Sequence, residues 1–248
     1  FGSVLAPAMA EDPEISSRRT EQETSFTDAQ IVDGFFKVTF GAELHPDGRI
    51  DRIRKYDGPV RVYIENRAQP DRSAEITQVI AEIGKRVAHL DIGVTARREA
   101  ANMTVSLIRD RDLEQTIRTI YGREQALKIQ NSLEPQCLSS FRKDRSFRIL
   151  RSDVILVVDA GDFVFYDCAY EELLQALGPI NDDSSIPWTM FNDDVQLGFF
   201  GLYDQYLLNL LYDPRIRPGM TREETRIAVT QILPDVRAFV AQTNGMAR

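Results

Sequence analysis

The densest run of chemistry-bearing side chains in this 248-residue chain is Glu171-Glu172-Leu173-Leu174-Gln175-Ala176-Leu177-Gly178-Pro179-Ile180-Asn181. Glu171, Gln175 and Asn181 offer only oxygen or amide donors. Such donors suit a hard cation such as calcium better than catalytic zinc. Two acidic stretches, Asn181-Asp182-Asp183 and Asn192-Asp193-Asp194, flank a turn that could bring them together around calcium. Their spacing is not that of a calcium-binding loop, and solvated turn residues are the expected reading. The chain has 2 histidines, His45 and His89, so three histidines cannot meet on a zinc ion within one subunit. His45 falls in a turn and His89 near a helix end, where solvated or capping roles are expected. Phe199, Phe200, Tyr203 and Tyr206 form an aromatic patch at helical spacing, a core pattern.

The elements that position these residues follow from periodicity. Thr27-Asp28 offers a helix cap, and Ile31, Phe35, Phe36 and Val38 predict a helix running out near Gly41. His45-Pro46-Asp47-Gly48 makes a turn. Val60 to Glu65 alternates like a half-buried strand, Asp71 through Leu90 carries helical spacing, and Asn102 to Ile108 returns to strand. That β-α-β unit predicts parallel strands. One or two short helices over 112–129, interrupted near Gly122, lead to a strand pair or one long strand over 147–159. The helix that carries Glu171 and Glu172 is expected to start near Asp167 and stop at Gly178-Pro179. Leu202 to Tyr212 and Arg222 to Ala241 read as helices, the second disturbed by Pro234.

A net charge of -8 and the lack of any basic block exclude a nucleic-acid backbone or an anionic membrane surface as partner. No run approaches the roughly 20 apolar residues of a membrane-spanning helix. Phe1 to Ala10 resembles the end of a signal segment, with Ala8-Met9-Ala10 as a small-residue cleavage site; a flexible arm is the alternative. Residues 11–25 read as a polar linker. Cys137 and Cys168 are expected to form a disulfide if the protein is exported, and to be buried free thiols if it is not. The resulting division is an arm over 1–25, a helix and linker over 26–57, a main domain over 58–213 and a helical extension over 214–248.

The run from Glu171 resembles the metzincin protease motif HExxHxxGxxH, in which two histidines on one helix face and a third beyond a glycine hold zinc. The resemblance puts Glu171, Gln175 and Asn181 at the three ligand positions, Glu172 at the general base and Gly178 at the turn. Ala176-Leu177 is similar to the residues before that glycine in matrix-type enzymes. Ser185-Ile186-Pro187-Trp188-Thr189-Met190 looks like the turn whose methionine lies beneath the metal, and Asp204 with Leu211-Tyr212 resembles the closing helix. The implied fold is α+β and metzincin-like: a mixed twisted sheet, a long early helix, a site helix, a methionine turn and C-terminal helices.

The chain is also similar to a bacterial family known only as a domain of unknown function, with the signature EExxQALGLxND, FNDD and LLxLLYDPRxRPGM. Here it reads Glu171 to Asp182, Phe191 to Asp194 and Leu207 to Met220, with Pro179 in place of Leu. That resemblance implies an exported, periplasmic or secreted protein and no established activity. With vestigial ligand positions, no cofactor is expected, calcium being possible and zinc disfavoured. The expected function is a noncatalytic metzincin-like domain that binds a protein partner or serves as an accessory subunit in the cell envelope. The alternative is an atypical, peptidase-like hydrolase that uses Glu172 as general base with a non-histidine metal site.

Overall fold

The computed structural model describes residues 11–40, 51–132, 137–179 and 181–246. Five strands build one mixed sheet: β1 (Val60–Asn66), β2 (Ile92–Val94), β3 (Met103–Ile108), β4 (Cys137–Lys143) and β5 (Ile149–Val157), in the order β2-β1-β3-β5-β4. β1 pairs parallel with β2 and β3, and β3 pairs parallel with β5. Only β4 runs antiparallel, at the edge beside β5. The helices are α1 (Pro13–Glu21), α2 (Asp28–Thr39), α3 (Ser73–Arg86), α4 (Leu113–Tyr121), α5 (Arg123–Ser132), α6 (Asp162–Gln175), α7 (Leu202–Tyr212) and α8 (Arg222–Thr243). The fold is α+β.

Local chemistry explains most boundaries. Thr27 and Gln30 form a reciprocal capping box that starts α2, and Thr221 with Glu224 does the same for α8. In α3 the side chains of Ile76, Val79, Ile80 and Ile83 line the buried stripe. All of β3 is buried, as a central parallel strand covered on both faces must be. Gly122, at φ 81°, separates α4 from α5. One core runs from Ile15 through the sheet to Val240 and includes Phe199, Phe200, Tyr203 and Tyr206.

The predicted parallel pairing of the first and third strands holds. Three features differ from expectation. Part of the polar segment expected to be a linker folds as α1, capped by Asp12 and anchored by Ile15, which packs on Gly198. The edge strand β4 escaped notice because its side chains are nearly all half-buried, so no alternation marks it. α6 begins at Asp162, before the expected Asp167, because Gly161 at φ 101° breaks the chain there. The turn at His45 and the segment from Phe1 to Ala10 lie outside the described residues.

The end of α6 is held from three sides. Ser152 donates its hydroxyl to the Ala176 carbonyl at 2.8 Å, and Tyr212 donates to the Leu177 carbonyl at 2.8 Å. Gly178, at φ 142°, lies so close to neighbouring backbone that a Cβ there would sit 2.3 Å from the Arg54 carbonyl oxygen. No other residue type fits that position without displacing backbone.

Candidate functional site

α6 faces the edge strand with a repeat that matches strand periodicity. Cys137 and Ser139 project from the same side of β4. Cys168, Glu172 and Gln175 follow one another down one helix face. Cys137 and Cys168 are joined by a disulfide, with Cα atoms 5.8 Å apart. Ser139 donates to Gln175 Oε1 at 3.3 Å and also hydrogen-bonds Glu172. The disulfide thus fastens the start of β4 to α6, one turn before the two glutamates.

The loop after α6 returns acidic residues to the same place. Asp183 donates its backbone N–H to the Phe191 carbonyl at 2.9 Å, so the segments after Asn181 and after Phe191 run side by side. Asn192 locks this arrangement, donating to the Ile186 carbonyl at 2.9 Å and accepting from the Asp194 N–H at 3.0 Å. As a result, carboxylate oxygens of Glu171, Asp182 and Asp193 lie within 4.8 Å of one another. Gln175 joins this group, its Nε2 lying 3.2 Å and 3.3 Å from the two oxygens of Asp182.

Electrostatics at this place are unfavourable for charge. Burial, followed by the charges of Glu172 and Asp182, holds the Glu171 carboxyl well above the usual carboxylate range. Burial also raises Glu172; Ser139 works against that shift, and Asp182 and Asp193 add to it. Glu172 is 6% exposed, and no hydrogen-bond partner reaches its buried Oε2.

The residues proposed from sequence divide. Glu171, Glu172 and Gln175 meet, whereas Asn181 turns away and donates its Nδ2 to the Lys37 carbonyl at 2.9 Å. Met190 is buried, and its backbone N–H reaches Asp204 Oδ2 at 3.3 Å, while Thr189 donates its hydroxyl to Asp204 Oδ1. Asp183 is occupied by Ser185 and lies outside the acidic group. His89 is exposed, at φ 62° in the turn after α3. A zinc ion of the metzincin kind does not fit here: of the three positions, one is a carboxylate, one is an amide committed to Ser139 and Asp182, and one is tied to Lys37.

Two contributors were missed by sequence reasoning. Ser139 carries no motif, and only its place on an edge strand opposite α6 marks it. Asp167, one turn before Glu171, is buried and accepts the Leu197 N–H at 2.7 Å and the Gly198 N–H at 3.0 Å, tying α6 to the later loop. A separate cleft of about 480 Å³ opens at the carboxyl ends of β1 and β3, lined by Asn66, Arg67, Arg109 and Arg111 among others, and shares no residue with the acidic group.

The family described as a protein of unknown function (DUF2927) matches residues 28–231, and the chain belongs to it. The match carries no metalloprotease relationship. No curated protein and no solved structure matches the chain.

Proposed function

We propose that this member of the DUF2927 family is a noncatalytic, exported domain of metzincin-like descent that binds an extended segment of a partner protein along β4, as an accessory subunit in the cell envelope. The observation that carries the reading is the state of β4. It is one of the two edge strands of the sheet, with β2 at the other edge, and among the described residues it pairs with β5 on one side only. An open edge is a template for strand addition, in which main-chain hydrogen bonds provide affinity and alternate side chains provide specificity. The disulfide to α6 holds that edge in place before any partner arrives, which lowers the ordering cost of binding. A disulfide also suits an oxidising compartment. Among the described residues no helix is long and apolar enough to cross a membrane. The order of strand, long helix, strand, site helix, Met190 and closing helix supports the metzincin-like descent.

Selection of random peptides against the full chain tests the reading. Enriched sequences are expected to bind in extended form and to lose binding when alternate backbone nitrogens of the peptide are methylated. Failure to enrich any peptide, or binding indifferent to that methylation, overturns it.

The orphaned oxygen of the buried Glu172 favours one second reading, a hydrolase that uses Glu172 as general base. That reading requires hydrolysis of peptides or cell-wall fragments by the purified chain, abolished by Glu172→Gln. Stoichiometric zinc accompanying such activity would overturn the noncatalytic assignment.

A further inference from the structure

We infer that the cleft at the carboxyl ends of β1 and β3 is a binding site for a small phosphorylated molecule, held by Arg67, Arg109 and Arg111. The chain leaves these two neighbouring parallel strands in opposite directions. From β1 it passes through α3 to β2 on one flank, and from β3 it passes through α4 and α5 to β4 and β5 on the other. The two helices also take opposite faces of the sheet. Ile76, Val79 and Ile80 of α3 belong to the core on the face of Val154 and Leu156. Leu113 and Ile117 of α4 pack on the other face, with Ile155 and Val157. Adjacent parallel strands whose following segments part in this way leave a crevice between their carboxyl ends, which is where open parallel sheets take ligands. The cleft of about 480 Å³ lies there, between the segments that follow β1 and β3. Small-molecule sites occupy roughly 300–1,000 Å³.

The lining decides the ligand. Three guanidinium groups, Arg67, Arg109 and Arg111, face the single carboxylate of Asp112, an excess of two positive charges in a chain whose net charge is -8. A phosphate monoester carries about −1.5 to −2 at neutral pH and matches that excess. Arg109 is half-buried and forms no ion pair among the described residues. Arg111 stands 3.9 Å from Asp112, and Glu65 divides itself between Arg67 and Arg98. The planar fork of a guanidinium meets phosphate oxygens in pairs, so donors held at one crevice by two different strands recognise a phosphoryl group from two sides. Gln69, on the same lining, adds an exposed amide for a hydroxyl of the ester. The net charge repels a long polyanion, whereas a cleft focuses its own field on a small one. The inference does not rest on strand addition, because β5 separates β4 from β3.

Calorimetric titration of the full chain with sodium glycerophosphate, inorganic phosphate and sodium succinate, at matched ionic strength, tests it. The expected result is saturable binding of one glycerophosphate per chain, tighter than inorganic phosphate and at least tenfold tighter than succinate, whose two charges sit at separate ends. Arg109→Ala is expected to weaken glycerophosphate binding at least tenfold, and Arg111→Ala about threefold. Arg111 is exposed, so Arg111→Ala carries the test on its own should Arg109→Ala fail to fold. Arg148→Ala removes the same charge beside Asp57, just before β5 and so at the opposite ends of the parallel strands, and should leave binding unchanged. Absence of saturable glycerophosphate binding, or succinate or inorganic phosphate bound as tightly as the ester, overturns the assignment. So does an affinity that Arg111→Ala leaves unchanged or that Arg148→Ala lowers equally.

Discussion

Two buried carboxyls on neighbouring helices have been treated in opposite ways. Asp204, near the start of α7, is fully buried, and both of its oxygens are used: Oδ1 accepts from Thr189 and Oδ2 from the Met190 N–H. Glu172, near the end of α6, is nearly as buried, yet one oxygen has no partner and the charges that raise it belong to further acids, Asp182 and Asp193. A satisfied buried carboxyl is a structural tie. A buried carboxyl left unsatisfied beside like charges is a cost that folding alone would remove, and such costs collect where a ligand is to be met.

The strongest way to break this comparison is to remove each carboxyl. Asp204→Ala leaves the Thr189 hydroxyl and the Met190 N–H buried without an acceptor and is expected to cost about 3–5 kcal/mol in urea unfolding. Glu172→Gln, measured in chelator, should leave stability unchanged or raise it by up to about 2 kcal/mol. A large loss from Glu172→Gln would mean that it, too, is a structural tie.

pH separates the tie further. Burial, opposed by Thr189 and Met190, pushes Asp204 up to about 7. Its native state therefore holds a proton that the unfolded chain releases near pH 4. The stability it contributes is fully present below that point and is lost as pH rises through about 7, on the order of 4 kcal/mol at most. Denaturant midpoints across this range should fall with pH, and the slope should flatten in Asp204→Asn.

The remaining changes act on the Glu172 side only. Replacing Cys137 and Cys168 by Ser opens a loop of 31 residues and should cost roughly 4 kcal/mol on the chain-entropy account. Proteolysis should then reach β4 before α7. Ser139→Ala removes one hydroxyl between β4 and α6 and is expected to cost about 1 kcal/mol, with amide exchange faster in β4 and unchanged in α7.

Much of the scaffold was legible from local signals. The helix from Leu202 to Tyr212 matches its predicted span, because its Leu and Tyr residues recur at helical spacing between Gly201 and Asp213. The parallel pairing of β1 with β3 followed from a helix-long crossover. β4 was not legible, since an edge strand half-covered by a helix shows neither alternation nor a continuous apolar run. α1 was hidden for a similar reason: a single buried residue, Ile15, anchors an otherwise polar segment.

At the site, residue types alone determined that nitrogen ligands are too few for a metzincin zinc centre and that any ion held there would meet oxygen. They also placed Glu171, Glu172 and Gln175 on one stretch of helix. Which acids join them was decided by the tertiary structure. Asn181, next in the motif, is drawn to the Lys37 carbonyl on α2, while Asp182 and Asp193 are brought in by the Asp183–Phe191 hydrogen bond and the Asn192 lock. Spacing along a helix is local and regular, so sequence reports it. A loop's path is set by the hydrogen bonds it finds on distant elements, and these exist only once the chain has folded.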